Sequence, residues 1–125
     1  MAKTILIVDD DPAQRRLLQA AVERNGFSTR TAENGQQAVD QVDAHADIDC
    51  VLLDLVMPGM TGQEALKEIR MRHGDLPCIV LTASGGIDTV VQAMQAGATD
   101  FFVKPASPER IMVSIRNALE MSNLK

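Results

Sequence analysis

The stretch Thr4-Ile5-Leu6-Ile7-Val8 runs directly into Asp9-Asp10-Asp11-Pro12. An unbroken row of β-branched and apolar residues suits a strand buried on both faces, not one with a wet side. Pro12 suits the first turn of a helix, where its missing amide hydrogen is not needed. Leu17, Leu18, Ala21 and Val22 recur at helical spacing through Pro12 to Asn25, and Asn25-Gly26 supplies the stop. The chain thus opens as a buried strand that hands over to a helix through three carboxylates.

The same alternation continues to the end. Phe27 to Ala32 alternates in polarity and reads as a strand nearer a sheet edge. A helix follows from Gly35 to Ala44, with Ala38 and Val42 inward. Cys50 to Leu53 is a second buried strand, closed by Asp54. The turn cluster Pro58-Gly59-Met60-Thr61-Gly62 leads into a helix over Gln63 to Arg72, with Ala65, Leu66 and Ile69 on its apolar face. Cys78 to Leu81 is a third buried strand ending at Thr82, and Ile87 to Ala96 is a helix with Gly97 as its cap. Phe101 to Val103 is a short strand ending at Lys104-Pro105. Ser107 caps the last helix, with Pro108 in its first position, Glu109 in its first turn, and Ile111, Val113, Ile115 and Leu119 on its apolar side. Five β-α units in series predict an α/β fold: a parallel sheet with helices on both faces.

Composition narrows the function classes. The 125 residues make one domain spanning 1–125, and a hydrophobic share of 46% excludes a disordered chain. No apolar run approaches the roughly 18 residues of a membrane helix, and the start lacks the apolar stretch of a signal peptide. A cytoplasmic location without a membrane partner is expected. Cys50 and Cys78 are too few for a disulfide framework and read as buried, reduced thiols. The net charge of −5, the lack of Trp and Tyr and only three Phe argue against direct nucleic-acid binding. Without Asp9, Asp10, Asp11 and Asp54, all at the ends of apolar runs, the charges nearly balance.

In parallel α/β sheets the site lies at the carboxyl ends of the strands. Asp9, Asp10, Asp11, Asp54, Thr82 and Lys104 all fall there, while the second strand contributes nothing comparable. Carboxylates gathered on one rim repel one another, and Lys104 alone cannot balance four of them. Hard oxygen ligands with room for water suit Mg²⁺. Lys104 and the Thr82 hydroxyl then have a task in holding the other oxygens of a phosphoryl group. One carboxylate would be the acceptor nucleophile. Asp54 is best placed: it stands alone at the end of a central strand, and a Gly/Pro loop follows it.

The residues Ile7-Val8-Asp9-Asp10-Asp11, Leu53-Asp54 with Met57-Pro58-Gly59-Met60-Thr61-Gly62, Leu81-Thr82-Ala83, Gly97-Ala98 before Asp100-Phe101, and Val103-Lys104-Pro105 stand in order along nearly the whole chain. Together they strongly resemble the receiver domain of two-component response regulators, including those of sigma-54-dependent transcriptional activators. The resemblance implies a flavodoxin-like (β/α)5 fold with strand order 2-1-3-4-5. It implies a phosphorelay switch in which Asp54 accepts a phosphoryl group from a histidine kinase or histidine phosphotransferase. Asp9, Asp10, Asp54 and the backbone carbonyl of Val56 would hold Mg²⁺ or Mn²⁺. Thr82, Ala83 and Lys104 would contact the phosphoryl oxygens, with Lys104 as the catalytic cation. Thr82 and Phe101 would form the switch pair. Val56 and Ser84 match positions that tune the phosphoryl lifetime. The domain would not be an enzyme beyond Mg²⁺-dependent self-phosphorylation and self-dephosphorylation. Its output would be a changed helix-4, strand-5, helix-5 face (Ile87 to Ala96, Phe101 to Val103, Ser107 to Leu119) that dimerises or binds an output domain. Residues 118–125 read as the start of a linker helix to such a domain.

Plainer readings stand beside these. Asp11, directly before Pro12, fits a helix cap as well as it fits the acidic cluster. His45 and His73 near helix C-termini are explained by the helix dipole. The methionines read as filler and Gly85-Gly86 as a loop beside Thr82. The rival function is a small phosphatase of the haloacid-dehalogenase type, with Asp9 as nucleophile in an Asp-x-Asp motif. It leaves Asp54 unexplained, and only Glu109 and Glu120 follow Lys104 as candidates for its further acidic motif. A flavodoxin-like electron carrier would need a hydroxyl-rich loop and flavin-stacking aromatics in place of these aspartates.

Overall fold

The computed structural model describes residues 2–55, 61–83 and 86–123. Strands and helices alternate as β1 (Thr4–Val8), α1 (Pro12–Arg24), β2 (Ser28–Ala32), α2 (Gly35–Ala44), β3 (Ile48–Asp54), α3 (Gly62–Arg72), β4 (Cys78–Thr82), α4 (Ile87–Gln95), β5 (Asp100–Val103) and α5 (Pro108–Asn123). The strands form one sheet in the order β2-β1-β3-β4-β5, every pairing parallel. This is the expected α/β architecture. The order reverses between β1 and β3, so their carboxyl ends open a crevice on one rim.

Alternating strand residues feed two cores. Leu6, Val8, Val51, Leu53, Cys78 and Val80 face α2, α3 and Ala93 of α4. Ile5, Ile7, Cys50, Leu52, Ile79 and Leu81 face α1 and α5. Full burial of each such Leu or Ile contributes on the order of 1.5–3 kcal/mol, which is what holds the three inner strands in register. β2 and β5 form the edges and are only partly covered. Cys50 and Cys78 sit on neighbouring strands but opposite faces, both as free thiols. Burial pushes the Cys78 thiol up to about 11 and the Cys50 thiol higher still.

Two helix faces differ from expectation. Leu17 is 67% exposed; α1 buries Leu18, Ala21 and Val22 instead. Val113 is 53% exposed, and Met112 takes its place in the core of α5 beside Ile111, Ile115 and Leu119. In both cases the apolar stripe is narrower than the run of apolar letters, because each helical step turns about 100°. Strand β3 starts two residues earlier than the apolar run, at Ile48.

The helix ends follow local chemistry. The Asp11 carboxylate accepts a hydrogen bond from the Ala13 amide at 3.0 Å, which makes it the cap of α1. Thr61 and Glu64 form a reciprocal capping box on α3. Gly86 begins α4 without a side-chain cap. His45 and His73 are the C-terminal caps of α2 and α3. His73 Nε2 also lies 3.0 Å from Asp43 Oδ1, and Arg72 pairs with the same carboxylate, so α2 and α3 are clasped at that end. No helix among the described residues is long and apolar enough to cross a membrane.

Candidate functional site

The carboxyl ends of β1 and β3 place Asp9 and Asp54 side by side on the rim. Both side chains are almost wholly buried, at 2% and 8% exposure. Lys104 reaches them from the end of β5: its Nζ donates to Asp9 Oδ2 at 3.0 Å and to Asp54 Oδ2 at 3.1 Å. Burial opposes the charge on Lys104, but the hydrogen bonds it donates to Asp9 and Asp54, with the attraction of those carboxylates, outweigh it and lift its pKa above the usual lysine value. The ammonium therefore stays charged throughout the physiological range.

Exposed Asp10 completes the cluster. One carboxylate oxygen each from Asp9, Asp10 and Asp54 lies within 4.8 Å of the others. Three hard, anionic ligand groups, two buried and one exposed, fit a small divalent cation that keeps some of its water. The fourth strand-end aspartate does not join them, because Asp11 is engaged in capping α1.

Asp9 is held at every polar atom. Its amide donates to the Ala32 carbonyl at 3.2 Å. Its carbonyl accepts from Arg15 Nη1 at 2.8 Å, and Oδ1 accepts from the Asp11 amide at 3.0 Å. Lys104 takes Oδ2. Asp54 is positioned differently, by the close return of the chain beneath it. A Cβ built on Gly62 would lie 2.4 Å from the Asp54 carbonyl oxygen and 2.5 Å from Leu55 Cα. The Gly62 amide donates to the Leu55 carbonyl at 3.1 Å. Only glycine lets α3 start this close to the end of β3.

Thr82 is fully buried at the end of β4, and its carbonyl accepts from the Lys104 amide at 2.7 Å. That bond ties the Thr82 and Lys104 turns together. Ala83 follows on the exposed side. Phe101 lies lower on β5, opposite Val80, and packs half-buried against the α2–α3 core. It is not part of the acidic cluster. Val56 and Ser84, expected as a metal ligand and a tuning position, lie outside the described residues, as do Met57 to Met60 and Gly85. Sequence reasoning passed over Arg15 and treated Gly62 only as a turn residue. The signal for Arg15 was present: a cation in the first turns of a helix opposes the helix dipole and so needs another reason to be there.

The sequence profile described as response regulator receiver domain matches residues 5–116. Chemotaxis protein CheY of Bacillus subtilis (strain 168) is 41% identical over 95% of this chain and 99% of its own length. Regulatory protein AtoC of Escherichia coli (strain K12) is 38% identical over 97% of this chain, which spans only 26% of AtoC. The crystal structure of a CheY-like receiver domain protein from Methanospirillum hungatei JF-1 superposes with a TM-score of 0.94 over 98% of both chains, at 24% identity. That last likeness speaks for the fold.

Proposed function

The chain belongs to the response regulator receiver domain family, a class of two-component signalling switches, and from that membership we propose that Asp54 is its phosphoacceptor. The observation that carries this assignment is the single lysine shared by two buried carboxylates. Lys104 Nζ sits within 3.1 Å of both Asp9 and Asp54, beside a third carboxylate. In transfer from a phosphohistidine, an Asp54 oxygen forms the new P–O bond while the P–N bond breaks and the imidazole leaves with its electron pair. Lys104, already charged and fixed, supplies preorganised positive charge where the phosphoryl oxygens develop theirs. Thr82 and Ala83 stand at the neighbouring strand end to meet those oxygens. Asp9, Asp10 and Asp54 would hold Mg²⁺ or Mn²⁺, which when bound neutralises phosphoryl charge and fixes the group in line. The same rim would support self-phosphorylation from small donors and hydrolysis of the product.

The Asp9 carboxylate is bound at both oxygens by this chain, Oδ1 by the Asp11 amide and Oδ2 by Lys104. The relatives reported above give the phosphatase reading no support. Glu109, a candidate for its later acidic motif, is engaged by the Ser107 hydroxyl at the exposed start of α5.

The readout surface is the α4–β5–α5 face. Ile87, Val91, Met94, Val103 and Val113 are all exposed on these elements, apolar side chains that a partner could cover. A second copy or an output domain is its partner, and Thr82 with Phe101 connects it to the rim. The helix α5 runs to Asn123, which supports a linker helix beginning near Ala118. The two buried thiols are in keeping with a reducing, cytoplasmic setting.

Intact mass after incubation with acetyl phosphate and Mg²⁺ tests the assignment. One phosphoryl group is expected on the wild type, none on Asp54→Asn or after chelation, and slowed labelling of Asp9→Asn. Labelling that survives Asp54→Asn and requires Asp9 would overturn it.

A further inference from the structure

We propose that Arg15 and Glu33 form a strap that positions Asp9 for divalent-cation binding. The proposal rests on the reading of the acidic rim given above and adds two positioning residues to it. Arg15 lies on α1, and its side chain is only 15% exposed although it carries a full charge. Its Nη1 donates to the Asp9 carbonyl at 2.8 Å, and its Nη2 lies 3.7 Å from Glu33 Oε1. Glu33 directly follows Ala32, whose carbonyl receives the Asp9 amide. Both main-chain groups of Asp9 are thus held from the same side, one by Ala32 itself and one by the strap anchored on its neighbour. The Glu33 amide is fixed in turn by the Gln37 side chain at 2.9 Å.

Three elements meet in this arrangement: the end of β1, the start of α1 and the β2–α2 connection. The exposed ion pair alone would be weak. The short, charge-assisted bond to a buried carbonyl is the strong contact, and Glu33 offsets the charge that Arg15 would otherwise set against an incoming cation. The place of Arg15 near the positive end of α1 makes sense on these terms, since nothing about the helix favours it.

Charge and positioning make opposite predictions, so the strap can be tested cleanly. Replacing Arg15 alone leaves Glu33 unbalanced; if charge were its whole role, cation binding would tighten. Removing both residues, Arg15→Met with Glu33→Gln, leaves the net charge of the chain unchanged. Binding of Mn²⁺, followed by the electron paramagnetic resonance signal of the free ion, is expected to weaken about tenfold in the double variant and to weaken, not tighten, in Arg15→Met. In acetyl phosphate labelling, the Mn²⁺ concentration for half-maximal rate should rise by a similar factor while the saturating rate holds. A purely structural defect would lower the saturating rate instead. Should the double variant fail to fold, Glu33→Gln carries the test, because its loss of affinity should persist at high salt, where a charge effect is screened. Wild-type affinity in the double variant, tighter binding in Arg15→Met, or a Glu33→Gln effect abolished by salt would overturn the strap. A wild type that binds no Mn²⁺ would instead overturn the reading of the rim.

Discussion

Helices α3 and α4 cover the same face of the sheet and are attached to it in very different ways. Helix α3 begins with a capping box, buries Gly62, Ala65, Leu66 and Ile69, and is clasped to α2 at its far end. Helix α4 begins at an uncapped glycine and buries only Ala93. The turn after its C-terminal end is tied to α3 by Arg70, which donates to the Gly97 carbonyl at 2.6 Å. Gly97 has a φ of +108°, and a Cβ there would meet the Arg70 side chain at 2.7 Å, so glycine makes the seat for that arginine. The difference teaches where the molecule keeps its shape and where it can change it. The element that carries Asp54's chain return is fixed, and the element that follows the Thr82 turn is lightly held.

The contrast can be broken most severely at Gly62. Gly62→Ala forces a Cβ into the Asp54 and Leu55 backbone and should cost about 4 kcal/mol or more, read as loss of the cooperative denaturant transition. Leu66→Ala in α3 should cost about 2–5 kcal/mol, while Val91→Ala in α4 should stay within about 0.5 kcal/mol of wild type. Equal losses at these two sites would remove the distinction. Thr61→Ala deletes the capping box and should lower stability by about 1 kcal/mol in urea titration. A smaller effect is expected at the α2–α3 clasp. The His73 hydrogen bond, opposed by desolvation and aided by Arg72, holds Asp43 below the usual carboxylate range. Its contribution is therefore present above the ordinary carboxylate pKa and is lost as pH falls through the lowered value. Asp43→Asn should lower stability slightly at neutral pH, and the difference from wild type should vanish as pH falls through the lowered value, which flattens that part of the acid limb of a stability–pH curve. Last, Gly86→Asp should stabilise the protein by only a few tenths of a kcal/mol, because a side chain there meets nothing within 4 Å and supplies the missing cap.

The strands and the rim were legible because parallel sheets leave unusually plain marks. Buried strands read as unbroken apolar runs, and a carboxylate or lysine at the end of one has few structural reasons to be there. Asp9, Asp54, Thr82 and Lys104 were found that way. Helix faces were harder. Leu17 and Val113 carry core-like side chains on surfaces left open, and Met112 is a core residue that its type does not announce. The charge of Arg15 near the positive end of α1 marks it as unusual, but its partner is a main-chain carbonyl, which no side-chain pattern reveals. The role of Gly62 depends on a chain crossing its neighbour's backbone, a contact between segments whose distance apart is set only in three dimensions. Asp11 shows the converse: the same letter as its neighbours, yet turned to the helix by the Ala13 amide.

The two cysteines have a practical consequence. They lie one on each side of a single sheet, each sealed behind a different layer of helices and each kept as the unreactive thiol. A thiol reagent can reach Cys78 only when the α3–α4 layer lifts, and Cys50 only when the α1–α5 layer does. Single-cysteine variants would therefore time the breathing of the two halves separately, with and without a phosphoryl group on the rim. The fold carries its own pair of clocks.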